Sequence, residues 1–380
     1  MNRRLQAFDF IARCLALEVT PDTISALRED IRSGGLRWED VVQLANNHLL
    51  TPALWIALKG HGLEADLPAD LSEYLQELHG MNKQRNAHLR SQLLEAVQKL
   101  NDIDVTPVLL KGAMHLVTEV YDDSGARMMT DIDLLVPRGD VDNCVSALHE
   151  LGYRPEPDSL GDYPPQHHQY APLYRPGDYG PVEIHRAPME GFAETLPAET
   201  AIAEAEPLLY HGLSMKTLTP TYRALHNILH SQLVDHNYAD GIIPLRSLYE
   251  MVKENRVARG RVDWLAIQTL MQRSNREKVL QTYLYLAARL FDMPLPTDVR
   301  LTPSCQWYYL RCRAQLAWDW ADVWGIRVGS FSEDRICKRY GCEGGWITVN
   351  RTRLQDAVKR ISAYARRRTG LAGKETHEQR

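Results

Sequence analysis

Leu109–Val136 reads LLKGAMHLVTEVYDDSGARMMTDIDLLV, and its close, DIDLLV, sets two carboxylates, Asp131 and Asp133, at the head of an apolar run. Aspartate is a poor strand former and is costly to bury unpaired. In a strand, residues i and i+2 share a face, so Asp131 and Asp133 point one way while Ile132 and Leu134 point the other. Carboxylates about 7 Å apart at their Cα atoms repel unless something positive lies between them. A hard divalent cation such as Mg²⁺ suits that gap, because it takes carboxylate oxygens and keeps positions for water and phosphate. The run therefore predicts a core strand with one packed face and one acidic face open to a cleft.

The flanking segments extend this strand into a unit. VTPVLLKG, from Val105, is short, β-branched and apolar and ends on Gly112, which predicts a buried strand and a turn. AMHLVTEVYDD carries Met114, Val117 and Tyr121 at helical spacing and predicts a helix beginning at Ala113. After the second strand Pro137 is a stop, and Asp140 is placed to cap the helix VDNCVSALHELG, which Gly152 closes. HHQYAPLYR and PVEIHRAP are alternating runs joined by PGDYG, a hairpin pattern. In the second run Glu183 and His185 share a face opposite Val182 and Ile184. If the first run is a strand, His167 and His168 point to opposite faces.

Helical patterns surround this unit. Thr20 and Pro21 give a cap and a first-turn proline, followed by Ile24, Leu27 and Ile31 on one face and a stop at Gly34–Gly35. A longer pattern runs over 69–100, with Leu71, Leu75, Leu78, Leu89, Leu93 and Val97 at spacings of three and four. The acidic stretch 191–210 looks like a linker or insertion, and helical periodicity returns over 219–251, 264–271, 277–291 and 304–324. A last amphipathic helix carries Leu354, Val358 and Ile361. The expected organisation is a helical segment at 1–103, an α/β core at 104–190, a helical segment at 191–300, and a helical extension at 301–380 with a partly disordered tail.

Composition narrows the classes of function. The 380 residues suffice for a sizeable core. A net charge of −5, from 44 basic and 49 acidic residues, marks no global nucleic-acid binder. The segment 351–380 is locally basic, with nine Lys or Arg against three acids, and is either a solvated helix face or a track for phosphate. The six cysteines show no C-x-x-C spacing and are expected to be reduced thiols of a cytoplasmic protein. Asp9 and Arg13 interrupt any signal-peptide core, and no window approaches a membrane span.

Three groups of residues then assemble into one chemistry. Asp131, Asp133 and Glu183, from neighbouring strands, could hold two metals for an in-line displacement at phosphorus. Gly112 lets the backbone approach an anion, and the following helix points free N–H groups toward it. Lys111 and Arg127 add a mobile and a fork-shaped positive charge. These are the parts needed to move a nucleotidyl group from an NTP, with pyrophosphate leaving.

The stretch resembles the nucleotidyltransferase superfamily with the DNA polymerase β-type fold. More narrowly, LLKG, then Arg127, DIDLLV and VEIH resemble an uncharacterised bacterial nucleotidyltransferase group with L-K-G, R-x-x-x-D-h-D-h-h-V and h-E-h-H motifs. The resemblance is close over about 80 residues of the core. It implies an α+β fold, a small mixed β-sheet flanked by helical N- and C-terminal regions. It also implies Asp131, Asp133 and Glu183 as catalytic metal ligands for Mg²⁺ or Mn²⁺. Lys111, Gly112 and Arg127 would be nucleotide contacts, with ATP the expected NTP and the acceptor a small molecule, protein or RNA. One departure stands out: the superfamily's glycine-serine turn is here Lys111-Gly112, without the hydroxyl.

Other readings of these residues stay open. Glu183 could be an edge residue facing solvent, and His185 a general base, a metal neighbour or a locally bonded strand histidine. Lys111 and Arg127 could instead be structural partners of the aspartates. His226 and His230, at i and i+4, invite zinc, but lack the Glu of an H-E-x-x-H pattern. Trp264, Trp307, Trp318, Trp320 and Trp324 fit a core or an acceptor groove better than a stacking platform. The alternatives to a metal-dependent nucleotidyltransferase are a non-catalytic nucleotide- or protein-binding relative and an RNA-directed enzyme.

Overall fold

DIDLLV forms the middle of a sheet. In the computed structural model, which describes residues 2–157, 159–319, 321, 322 and 352, the strands are β1 (Val108–Leu109), β2 (Ile132–Leu135), β3 (Arg154–Pro155), β4 (Leu173–Tyr174), β5 (Val182–His185), β6 (Glu206–Tyr210) and β7 (Leu213–Thr217). They make one mixed sheet in the order β3-β4-β5-β2-β1-β7-β6. β2 runs antiparallel to β1 and parallel to β5. The glycine-rich stretch 325–349, Trp320, Trp324, the last amphipathic helix and the basic segment after Asn350 lie outside the described residues, Thr352 apart.

The helices are α1 (Arg3–Cys14), α2 (Pro21–Arg32), α3 (Trp38–Asn47), α4 (Thr51–Gly60), α5 (Ala69–Asn101), α6 (Lys111–His115), α7 (Val141–Glu150), α8 (Ala198–Ala203), α9 (Pro220–Leu229), α10 (Asn237–Asp240), α11 (Leu245–Ala258), α12 (Trp264–Arg273), α13 (Glu277–Phe291) and α14 (Ser304–Ala317). The protein is thus α+β, a mixed sheet with helical flanks. Thr20 caps α2 through the Thr23 N–H, with Pro21 in the first turn. Asp140 precedes α7 without a side-chain capping bond.

The alternation of β2 and β5 sorts two layers. Ile132, Leu134, Val182 and Ile184 are fully buried in a core with Leu89 and Leu93 of α5 and Val145 and Leu148 of α7. On the other side Val108, Leu110 and Leu135 join a second core. That core is shared by the N-terminal helices, through Phe8, Ile11, Leu54 and Leu58, and by the C-terminal ones, through Leu225, Leu248, Tyr283 and Leu284. Helices α1 and α4 and helices α9, α11 and α13, distant in the chain, therefore close over one face of the sheet.

Three local readings are corrected. The helix expected from Ala113 is one turn, Lys111–His115, and the chain then loops to β2. Two asparagines of α5 satisfy that loop's carbonyls in place of helical hydrogen bonds. Asn82 donates to the Gly125 and Arg127 oxygens at 2.7 and 2.9 Å, and Asn86 to those of Ser124 and Arg127 at 2.6 and 2.8 Å. The acidic stretch read as a linker or insertion holds α8 and all of β6, and the β6–β7 hairpin extends the sheet, with β7 parallel to β1. Finally, Trp307 and Trp318 are 73% and 52% exposed, so neither belongs to the core.

Candidate active site

The site is built where β2 and β5 lie side by side. Their parallel register sets Asp133 directly opposite Glu183 and Leu135 opposite His185. Because the strands share a pleat, Asp133, Glu183 and His185 all project from the face away from α5 and α7. α5 holds the starts of both strands together. Arg85 donates to the Met129 and Tyr179 carbonyls at 3.0 and 2.9 Å, and Gln92 donates to the Gly180 carbonyl at 2.7 Å. Gly180 permits this approach, since a Cβ there would stand 3.1 Å from the Thr130 carbonyl carbon.

Asp133 is fully buried yet charged. His185 Nε2 lies 2.8 Å from its Oδ1, and Lys111 Nζ donates to the same oxygen at 2.9 Å. Burial alone would push this carboxyl up, but Lys111 and His185 outweigh it and hold it well below the usual carboxylate range. Burial likewise opposes charge on His185 and Lys111, and their carboxylate partners raise both above their ordinary values. Lys111 reaches this position with a left-handed backbone, φ 44°. Asp133 Oδ2 is buried and has no hydrogen-bond partner.

One ligand atom from each of Asp133, Glu183 and His185 falls within 4.8 Å of the others. With the orphaned Asp133 Oδ2, the two carboxylates and one imidazole fit a divalent cation; the oxygen donors suit Mg²⁺ or Mn²⁺. Asp131 stands just outside β2 and is not in this set. Burial first, and the neighbouring Asp133 second, push its carboxyl above the usual range. It lines a cleft of about 480 Å³ whose walls include Lys111, Gly112, Arg127, His226, Arg246 and Glu250. Asp133 and Glu183 are not among the cleft's lining residues.

Arg127 is turned elsewhere than toward the aspartates. Its Nη2 donates to Glu250 Oε2 at 3.2 Å, and its Nε lies 3.0 Å from Glu250 Oε1. Arg246 Nε also donates to Glu250, at 2.9 Å. Burial opposes the Glu250 charge, but the two arginines prevail and draw its carboxyl down to about 2. The Arg127 guanidinium passes over Gly112 so closely that no Cβ fits beneath it. In this structure Gly112 thus makes room for a side chain of its own protein, and the helix after it is a single turn.

Several positioning residues escaped the sequence reading. Gln169 Nε2 donates to Glu183 Oε2 at 3.0 Å, and its backbone bridges to His185. Its signal was present in the alternating run that precedes PGDYG. Glu250, 123 residues from Arg127, had no local signal at all. His226 and His230 stack with ring centroids 6.0 Å apart, and His226 Nε2 lies 3.1 Å from the Pro188 carbonyl oxygen. Among the described residues they join no group of three metal-ligating side chains.

No described helix is long and apolar enough to cross a membrane. The sequence profile of a family described as "Uncharacterised nucleotidyltransferase" matches residues 34–292. No curated protein matches the chain. The crystal structure of an antigenic nucleotidyltransferase-like protein from Paracoccidioides brasiliensis is similar at 15% identity and a TM-score of 0.33, over 54% of this chain and 97% of that one.

Proposed function

The chain belongs to this uncharacterised nucleotidyltransferase family, and we propose on that premise that it transfers an NMP group from an NTP, ATP first among them, to an acceptor hydroxyl. The acceptor oxygen forms a bond to the α-phosphorus, the bond from that phosphorus to the bridging oxygen breaks, and pyrophosphate leaves with the electron pair. The observation that carries this reading is the register pair Asp133–Glu183, with Asp133 fully buried, Glu183 partly so, and one Asp133 oxygen unpaired.

Asp133, Glu183 and His185 would hold the divalent cation, Mg²⁺ or Mn²⁺, with Asp131 at the rim of the cleft. When bound, such an ion supplies charge neutralisation at the phosphates and polarisation of the phosphoryl oxygens. The protein's own groups supply position. Gln169 orients Glu183, and the His185 Nε2 that now bonds Asp133 would exchange that bond for the ion. Lys111 can trade its bond with Asp133 for a phosphate oxygen, since its side chain is 27% exposed. Asp131 lines the cleft whereas Glu183 does not, so it is better placed than Glu183 to take the acceptor proton. The Arg127–Glu250 pair braces α6 against α11, so we assign Arg127 a supporting role at the nucleotide site. A cytoplasmic setting fits Cys14, Cys144, Cys305 and Cys312, which are buried free thiols.

The test is incubation of the full chain with each α-labelled NTP and Mg²⁺ or Mn²⁺ in a cell extract. Label should appear on an acceptor with the wild type and not with Asp133→Asn. No transfer from any NTP, with wild type and variant indistinguishable, sinks the reading and leaves a non-catalytic nucleotide-binding protein.

A further inference from the structure

His167 and His168 do not alternate across a strand. They sit in a loop joined to β5 by the Gln169–His185 bridge and by the Tyr170 N–H, which donates to the Ile184 carbonyl at 2.8 Å, and their rings lie side by side with centroids 4.3 Å apart. The loop is held firmly at its base. The Arg186 and Ala187 N–H groups both donate to the His168 carbonyl, at 2.9 and 3.1 Å. The buried Arg186 guanidinium donates to the Pro165 carbonyl at 2.8 Å and to those of Pro164 and His167 at 3.3 Å. The chain leaving β5 then brings Glu190 to the same place, so that one ligand atom from each of His167, His168 and Glu190 lies within 4.8 Å of the others.

His168 carries an atom that hydrogen bonding inside the protein leaves unused, and His167 beside it can take the tautomer a cation requires. His167 Nδ1 lies 3.3 Å from the Gln169 carbonyl oxygen, to which it can donate, and 3.3 Å from the Gln169 N–H, from which it can accept, so the ring has a partner in either tautomer. An imidazole donating to the carbonyl presents its Nε2 lone pair outward, the arrangement in which a backbone carbonyl orients a metal-ligating histidine. His168 Nδ1 is buried without a hydrogen-bond partner, a vacancy that costs about 1–3 kcal/mol unless something fills it. Two imidazoles and one carboxylate, with a further position open to water, are a donor set for Zn²⁺ rather than Mg²⁺.

We propose that His167, His168 and Glu190 form a second metal site, selective for Zn²⁺, which locks the loop carrying Gln169 and thereby the orientation of Glu183. The site is separate from the Asp133 cluster but adjoins it, with the His168 and His185 ring centroids 5.5 Å apart. It stands whether or not the protein transfers nucleotides, because its readout is the ion itself.

Co²⁺ replaces Zn²⁺ and reports tetrahedral nitrogen and oxygen ligation by its visible d–d bands. The full chain titrated with Co²⁺ should show these bands. They should be lost in His167→Ala, and Glu190→Gln should weaken Co²⁺ binding by at least about 10-fold. Asp133→Asn should keep them. Glu190 is exposed, so its substitution leaves the core intact and keeps the test valid even if His167→Ala melts early. Absence of the bands in the wild type, their survival in His167→Ala, an unchanged Co²⁺ affinity in Glu190→Gln, or their disappearance in Asp133→Asn each overturns the proposal.

Discussion

The Arg127 guanidinium carbon would stand 2.9 Å from a Cβ on residue 112, so that glycine and that arginine are matched to one another. The close approach lets Arg127 reach Glu250 on α11 and ties the loop before β2 to the helical layer. Gly112→Ala should therefore cost about 1–3 kcal/mol of stability through overpacking. The cost should shrink when Arg127→Ala is also present, in a double-mutant cycle followed by chemical unfolding. If Gly112 served only the approach of a phosphate, its substitution would leave the unfolding midpoint unchanged.

Glu250 serves two arginines at once, and its side chain and that of Arg127 are only 12% and 9% exposed. Glu250→Gln leaves buried positive charge without its counter-ion and should destabilise by about 3–5 kcal/mol. The pH dependence has a definite sign. The Glu250 carboxyl is drawn from 4.5 to about 2 in the folded protein, so its contribution is complete above 4.5 and is lost as pH falls through 2. Denaturant melts between pH 5 and 2 should show a shallower acid loss in Glu250→Gln than in the wild type.

His226 is buried neutral. Burial first, then the neighbouring His230 and Lys111, push its imidazole from 6.5 down to about 3. The unfolded chain binds the proton more readily, so this histidine costs stability as pH falls below 6.5, by up to about 1.4 kcal/mol per pH unit. His226→Leu should flatten that slope between pH 6.5 and 4. A chelator should leave the thermal midpoint of wild type and His226→Leu equally separated; a wider effect on the wild type would return zinc to the His226–His230 pair.

Gln169 holds Glu183 through its side-chain amide. Gln169→Ala should lower metal affinity or turnover by about 10–100-fold, the range for partners that orient a metal ligand. The shift should appear in a Mn²⁺ titration of the full chain, with little change in the unfolding midpoint. A stability loss with unaltered Mn²⁺ affinity would make Gln169 part of the packing alone.

Asp133 carries the strongest charge coupling of the site. Asp133→Asn should remove label transfer and leave Lys111 and His185 without their shared oxygen. Lys111 can turn to water, since its side chain is partly exposed, whereas His185 is fully buried. The imidazole should consequently titrate at a lower pH in the variant, readable from the histidine ring resonances.

The amino-acid sequence by itself determined the two-faced character of the central strands. Alternation at i and i+2 puts Ile132 and Leu134 on one side and Asp133 on the other, and treats Val182, Ile184, Glu183 and His185 the same way, whatever the rest of the chain does. It likewise determined the apolar stripes of α2 and α5 and the Thr20 cap of α2, because these are set within a few residues. Tertiary structure alone decided which faces meet. The parallel register of β2 on β5 brings Asp133 to Glu183, α11 brings Glu250 to Arg127, and the loop pinned by Arg186 sets two adjacent histidines side by side. Those pairings depend on the packing of residues up to 123 positions apart, and short-range periodicity carries no information about a partner so distant.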